Sequence, residues 1–119
     1  GANIGRILHL QKLSALRETT RKIHVEQMVR AYVTRVIRAT RDQPQVTLGA
    51  SPRAGVMLLL AAKARALLAG RDFVSPDDVK AIAPAVLRHR ILLLPEAEVE
   101  GLSPDDCLKE ILLHAEVRR

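Results

Sequence analysis

The chain has 119 residues, 48% of them apolar, and a formal net charge of +6. This is enough for one compact domain with a core and too little for two. Phe73 and Tyr32 are the only Phe, Tyr or Trp residues, so the core must consist of Leu, Val, Ile and Ala, which suit closely packed helices. The single cysteine, Cys107, excludes a disulfide framework and a Cys-x-x-Cys metal site, and we expect it to be a reduced core residue.

The positive charge is concentrated in the first half of the chain. Residues 1–65 contain 12 Lys and Arg against 3 acids, whereas residues 66–119 contain 7 against 10. A basic half is typical of proteins that bind nucleic acid or phosphate, but it also arises where arginines only solvate helix faces. No apolar run of membrane-spanning length and no signal-peptide pattern occur, so we expect a cytoplasmic protein without a membrane partner. Because the chain opens with Gly1 rather than Met, we expect a fragment of a longer protein.

In chain order, the first predicted helix covers residues 5–21, although no N-cap marks its start. Ile23-His24-Val25 has the composition of a short extended joint. The next segment, Glu26 to Arg41, repeats apolar residues at steps of three and four and predicts an amphipathic helix. After a loop, Val46-Thr47-Leu48 is predicted to be short and extended.

Three Ser-Pro pairs predict helix starts, because Ser is a favoured N-cap and Pro suits the first helical position. They are Ser51-Pro52, Ser75-Pro76 and Ser103-Pro104. The helix after Ser51 should end at Gly70, a residue suited to a left-handed C-terminal position. Since Val56 to Leu68 is apolar nearly all round, this helix is predicted to be central and buried.

The last third of the chain contains two weaker signals. Pro84 is predicted to break or kink the helix that starts at Ser75, leaving a second short piece after it. The alternation of Glu96-Ala97-Glu98-Val99-Glu100 indicates a short strand or extended loop. The predicted fold class is therefore all-α, a small bundle of four to six helices with a short extended pair near the C-terminus.

Several catalytic patterns are excluded. Gly49-Ala50-Ser51-Pro52-Arg53 lacks the second glycine of a nucleophile elbow, so Ser51 is interpreted as a cap. No phosphate-binding Gly-x-x-x-x-Gly-Lys-Ser/Thr string occurs, and the four histidines do not pair at ligand spacing, so no metal site is expected. The chain alone carries no complete catalytic machinery.

Arg53 breaks a local rule that the other two Ser-Pro helices obey. Those helices place Asp77-Asp78 and Asp105-Asp106 in the first turn, where the helix dipole favours acids, but the helix after Ser51 places an arginine there. Free N–H groups, the dipole and a forked guanidinium together would bind a phosphate, and Gly49 would let a ligand or another backbone come close. The alternative is that Arg53 lies flat on the surface or pairs with an acid such as Asp42.

Several blocks in natural order resemble one family. They are "ATR" at Ala39-Thr40-Arg41, "GASPRA" at residues 49–54, and "AAKARALLAGRDFVSPDDVKAIAPAVLRHRI" at residues 61–91. Together they resemble the C-terminal helical lid of MoxR-type AAA+ ATPases, from about Val25 to about Ile91. The resemblance implies that residues 25–119 form the lid and that residues 1–24 are an N-terminal helix and joint leading into it.

The resemblance also implies a role for the helix start. Arg53 would be the sensor 2 arginine that reaches the γ-phosphate of ATP, with Gly49, Ser51 and Pro52 forming its turn. ATP and its Mg²⁺ would be held by a separate α/β core, since no Walker A, Walker B or arginine finger occurs in these residues. Arg41 and the His89-Arg90 pair match family blocks without an assigned role.

The implied parent protein is a ring-forming, hexameric, chaperone-like ATPase. Its lid movement would couple ATP state to the remodelling of partner proteins, which in the wider family include von Willebrand A domain proteins. Expected partners are the protein's own AAA+ core and the neighbouring subunits. Two other functions stay open: a basic nucleic-acid-binding domain that uses Arg30, Arg35, Arg38 and Arg41, and a protein-interaction scaffold without a ligand. The lack of aromatic residues that would stack on bases argues against nucleic acid.

Overall fold

The structure, a computed structural model, describes residues 22–117. In chain order this range forms α1 (Gln27–Asp42), β1 (Val46–Leu48), α2 (Pro52–Leu68), α3 (Pro76–Leu87), β2 (Leu92–Leu93), α4 (Pro95–Val99) and α5 (Pro104–Val117). The predicted all-α class with one short extended pair is confirmed, whereas the helix predicted over residues 5–21 lies outside the described residues. None of the helices in residues 22–117 is both long enough and apolar enough to cross a membrane.

The predicted helix ends are confirmed where local chemistry determines them. The backbone N–H of Ser75 donates to the Asp78 carboxylate at 2.9 Å and closes a capping box at the start of α3. At the start of α5, the backbone N–H of Ser103 donates to the Asp106 carboxylate at the same distance. Gly70 has a φ of 76°, the left-handed conformation that ends α2.

Of the break or kink predicted at Pro84, the break is wrong, because α3 continues through Pro84 to Leu87. Pro84 lies in the last turn, so its missing amide removes a single hydrogen bond close to an end that would fray in any case. Ala83 and Leu87, on either side of it, are fully buried and hold this turn in the core.

The extended segment predicted over Glu96–Glu100 is also wrong, because Pro95–Val99 forms the short helix α4. Pro95 occupies the first helical position and Glu96 and Glu98 lie in the first turn, both of which favour a helix start. The extended pair instead joins β1 to β2 in antiparallel fashion, with Val46 opposite Leu93.

Helix α1 packs against α2, α3 and α5, and α3 likewise packs against three helices, namely α1, α2 and α5. The apolar stripe of α1 lies inside, and the Tyr32 hydroxyl donates to the carbonyl of Leu112 at 3.2 Å. The Arg35 Nε donates to the carbonyl of Ala115, also at 3.2 Å, so α1 binds late carbonyls of α5. These bonds explain what α5 does: it closes the bundle over one side of α1.

The prediction that α2 is central and buried is wrong in part, because only one face of this helix is covered. Its buried residues are Ala54, Leu58, Ala62 and Ala66, a strict stripe at steps of four that packs closely on α3. Residues two positions further along lie about 200° round the helix, on the opposite side. That opposite side is exposed, although its sequence is equally apolar.

Candidate functional site

The start of α2 is built as the sequence predicts. Ser51 is the N-cap, with extended φ and ψ of −78° and 163°, and Pro52 takes the first helical position. The Ser51 hydroxyl makes no capping hydrogen bond, although its carbonyl accepts from the Ala54 N–H at 2.9 Å. No acid lies in the first turn. This helix end therefore keeps its positive dipole uncompensated.

Arg53 is exposed at this end of the helix and forms no ion pair with any side chain of residues 22–115. The pairing with Asp42 that the sequence left open does not occur. An internal acid does not neutralise the guanidinium either. The structure therefore leaves Arg53 as an available cation beside a helix N-terminus, without a structural partner that would explain it.

Thr40 anchors the loop that leads to Arg53. Its side chain is fully buried at the end of α1, where the hydroxyl donates to the carbonyl of Ile37 at 2.6 Å. The same hydroxyl accepts a hydrogen bond from the backbone N–H of Ala50 at 2.9 Å. The Arg41 Nε donates to the carbonyl of Ala50 at 3.2 Å. Ala50 is thus held through both its amide and its carbonyl.

Gly49 is needed for the close approach between this loop and α1. A Cβ atom at Gly49 would lie 2.7 Å from the backbone N of Arg41 and 2.8 Å from its Cα. The expectation that Gly49 admits another backbone is confirmed, and the backbone is that of Arg41. The loop and α1 therefore pack backbone against backbone at the corner from which α2 departs.

Sequence reasoning missed Thr40 and gave Arg41 no role, although a signal for Thr40 was present. The buried stripe of α1 ends in Val36, Ile37 and Thr40 at steps of three and four. A hydroxyl on an apolar stripe needs a hydrogen-bond partner, because an unsatisfied buried polar group costs about 1–3 kcal/mol. The pattern therefore predicts that the Thr40 hydroxyl needs a partner, which the Ile37 carbonyl of its own helix supplies, and does not point to the loop at Ala50.

A second electrostatic cluster holds α2 to α3. The Asp78 carboxylate is fully buried. It accepts hydrogen bonds from Nη1 of Arg65 at 2.9 Å and from Nη2 of Arg71 at 2.6 Å. The hydrogen bonds from Arg71, opposed by burial and supported by Ser75 and Arg65, lower the pKa of Asp78 well below its ordinary value. Sequence reasoning assigned Asp78 to capping alone. Its second role is to form ion pairs with Arg65 and Arg71, so this cluster is structural.

A groove of about 400 Å³ lies between α1 and the first turns of α2. Its apolar lining includes Val33, Ile37, Val56 and Leu59. The arginines that line it are Arg30, Arg38 and Arg41. None of the described residues along this groove is acidic. Pro52 also lines it, so the groove reaches the helix start that carries Arg53.

The four arginines proposed for nucleic-acid binding do not form one surface. Arg35 stacks over the Tyr32 ring, with 5.7 Å from its Cζ to the ring centroid, and bonds the end of α5. Arg30, Arg38 and Arg41 instead share the groove. Arg35 is therefore a structural residue, Arg41 also bonds the Ala50 carbonyl, and Arg30 and Arg38 remain candidates for binding.

The sequence matches a known domain family. Residues 38–111 match the AAA lid domain. The chain is 38% identical over 97 residues to the uncharacterized protein YeaC of Bacillus subtilis, covering 82% of this chain and 30% of that protein. It is 37% identical over 115 residues to Chaperone MoxR1 of Mycobacterium tuberculosis, covering 89% of this chain and 30% of that protein.

A solved structure has the same fold. It is the crystal structure of a provisionally assigned ATPase from Cytophaga hutchinsonii, with a TM-score of 0.77 and 33% sequence identity. The match covers 82% of this chain and 32% of that one. The chain therefore spans about a third or less of the relatives that it matches.

Proposed function

The chain belongs to the AAA lid domain family as a lid of the MoxR type of AAA+ ATPase, and on that premise we propose that it senses nucleotide through Arg53. In this proposal Arg53 is the sensor 2 residue that contacts the γ-phosphate of ATP held by a separate core domain. The observation that carries the proposal is the exposed Arg53 guanidinium, which has no ion-pair partner among the side chains of residues 22–115, in a first turn that lacks acids. The other two Ser-Pro helices carry two acids each in that position.

The residues at this helix start fit a polyphosphate in their chemistry. A guanidinium offers a forked, permanently charged donor, and the helix end adds the positive pole of its dipole. Gly49, Ser51 and Pro52 shape the turn and bring no negative charge. When bound with Mg²⁺ in the core, ATP supplies the anionic γ-phosphate that this arrangement would attract. Within this proposal the chain's own residues only bind and orient.

The anchored loop supports a role in coupling. Because Thr40 and Arg41 hold Ala50, a displacement of the α2 start is transmitted to α1. Since α1 contacts three other helices, the lid would move as a unit when Arg53 engages or releases the phosphate. We propose that this movement acts on the protein's own AAA+ core and on neighbouring subunits of a hexameric ring. Von Willebrand A domain partners and a cytoplasmic location stay predictions.

The decisive experiment uses the longer protein that contains this lid together with its AAA+ core. Arg53→Ala should remove most ATPase activity, and Arg53→Lys should recover little of it because an ammonium lacks the forked geometry. Lys109→Ala is the matched control, since Lys109 is an exposed cation on α5, and it should leave the rate unchanged. Full ATPase activity of a properly folded Arg53→Ala protein would refute the sensor role.

A further inference from the structure

The end of the bundle that carries Arg53 also carries the turn between α3 and β2. Helices α2 and α3 run antiparallel, because Arg65 in the last turn of α2 pairs with Asp78 in the first turn of α3 at 2.9 Å. The last turn of α3 therefore lies beside the first turn of α2. Ala54 and Leu87, one from each of these two turns, are both buried in the same apolar core.

The strand pair independently places this turn next to the loop that precedes α2. Leu92 of β2 lies opposite Leu48 of β1 in an antiparallel register. Arg90 precedes Leu92 by two residues, and Ala50 follows Leu48 by two. Because antiparallel strands run in opposite directions, Arg90 lies beside Ala50, in the loop that begins the helix of Arg53.

The arginines of this turn differ in how they are bonded. Arg88 pairs with Asp105, with 3.1 Å between Nη2 and Oδ2, and also donates to a carbonyl of its own helix. Arg90 is exposed and forms no ion pair with any side chain of residues 22–115. Arg53 and Arg90 are therefore two exposed guanidiniums at one end of the bundle, and no acid within that range neutralises either of them.

We propose that Arg90 is a second phosphate-binding residue, which contacts the phosphate chain of the same nucleotide that Arg53 contacts. The inference rests on the proposed sensor function and adds one residue to that site. A phosphate chain offers oxygens to several donors at once, and the forked geometry of a guanidinium matches them. In this role Arg90 binds and orients the nucleotide.

The alternative is that Arg90 only compensates the negative end of the α3 dipole. Cations near a helix C-terminus are favoured by that dipole, but the effect falls off within the last turn. Arg88 is the C-cap residue of α3, whereas Arg90 lies three residues beyond Leu87, the last helical residue. The dipole therefore accounts for Arg88 better than for Arg90.

The test uses the longer protein that contains the AAA+ core, and it measures the equilibrium binding of a non-hydrolysable ATP analogue with Mg²⁺. Arg90→Ala should weaken that binding about tenfold or more, because a charged hydrogen bond to phosphate is lost. Arg90→Lys should recover only part of it, since an ammonium lacks the fork. Arg88→Ala is the matched control at the same helix end, and it should change the affinity less than about twofold.

Sedimentation velocity and circular dichroism of each variant report its oligomeric state and its folding. Three outcomes would overturn the proposal. They are unchanged affinity in Arg90→Ala, an equal loss in Arg88→Ala, and a loss in Arg90→Ala that accompanies dissociation of the oligomer. The last outcome would make Arg90 an interface residue.

Failure of this inference is distinguishable from failure of the sensor function. If Arg53→Ala loses ATPase activity while Arg90→Ala binds the analogue normally, only the role of Arg90 is wrong. If Arg53→Ala keeps full activity, the sensor role is refuted, and the shared site assigned to Arg90 is refuted with it.

Discussion

The Thr40 hydroxyl accepts a hydrogen bond from the backbone N–H of Ala50 at 2.9 Å, across the corner between α1 and α2. Both residues are buried, so the bond has no competition from water. It joins the last turn of one helix to the loop that begins the next. The position of the helix start that carries Arg53 therefore depends on a side chain in another helix.

Thr40→Val should destabilise the chain by about 1–3 kcal/mol, because the Ala50 N–H then lies buried without an acceptor. Valine has nearly the same shape, so packing is preserved. Thr34→Val is the matched control, because the Thr34 hydroxyl bonds the Arg30 carbonyl of its own helix at an exposed position. Chemical denaturation measures the free energy of unfolding of both variants. If both variants lose the same amount, the Thr40–Ala50 hydrogen bond contributes no more to stability than the exposed bond of Thr34.

Gly49→Ala should cost about 1–3 kcal/mol, since its new methyl group would lie 2.7 Å from the backbone N of Arg41. Gly55→Ala, on the facing helix, supplies the comparison. Its methyl group would lie 3.4 Å from Ile37 Cγ1, an ordinary contact, and alanine favours a helix by up to about 1 kcal/mol. Gly55→Ala should therefore be neutral or stabilising. If thermal melts show a lower melting temperature for Gly55→Ala than for Gly49→Ala, the close approach seen at Gly49 is contradicted.

Asp78→Asn should destabilise the chain by about 2–4 kcal/mol at neutral pH, because Arg65 and Arg71 lose their shared carboxylate. The effect depends on pH. Since the pKa of Asp78 is lowered in the folded chain, its stabilisation is fully present above the unfolded pKa of about 3.9. It is lost as the pH falls below about 4 towards the lowered folded value.

The corresponding measurement is the free energy of unfolding of both proteins between pH 6 and pH 3, about the range over which carboxylates take up protons. The difference between wild type and Asp78→Asn should shrink as the pH falls. A difference that is constant with pH would mean that the asparagine loses packing or capping rather than charge.

Arg53→Ala should leave the stability of the chain unchanged or raise it by about 0.3–1 kcal/mol, because a cation leaves the positive end of a helix. Arg65→Ala is the comparison variant. Arg65 pairs with buried Asp78, so removing it should lower the free energy of unfolding by about 1–2 kcal/mol. Denaturation of the two variants distinguishes a functional arginine from a structural one. If Arg53→Ala lost more than about 2 kcal/mol, Arg53 would be structural.

Much of the fold was predictable because the residues that determine it lie close together in sequence. The Ser-Pro starts of α2, α3 and α5, the capping box at Ser75 and the left-handed Gly70 follow from local backbone chemistry. The free, buried Cys107 also matches its prediction. The family was recognisable from ordered blocks of sequence, and the match over residues 38–111 confirms it.

The candidate site was predictable in part. The unusual position of Arg53 in a first turn is readable from three residues, and so is the fit of Gly49 to a close approach. The hydrogen bond that Thr40 accepts from Ala50 was not predictable, because Ala50 belongs to a loop whose path no periodicity describes. The role of Arg53 in nucleotide sensing stays a prediction.

By itself, then, the sequence determined where helices begin and end, which residues are apolar, and that one helix start carries the wrong charge. Only the tertiary structure decided which strand pairs with Val46–Leu48, which face of α2 is covered, and which helices pack against each other. The physical reason is that capping and helix propensity act over one turn. Packing instead depends on which surfaces meet, and the two sides of α2, Ala54-Leu58-Ala62-Ala66 and Val56-Leu60-Ala64-Leu68, are both apolar, so its sequence does not determine which one is covered.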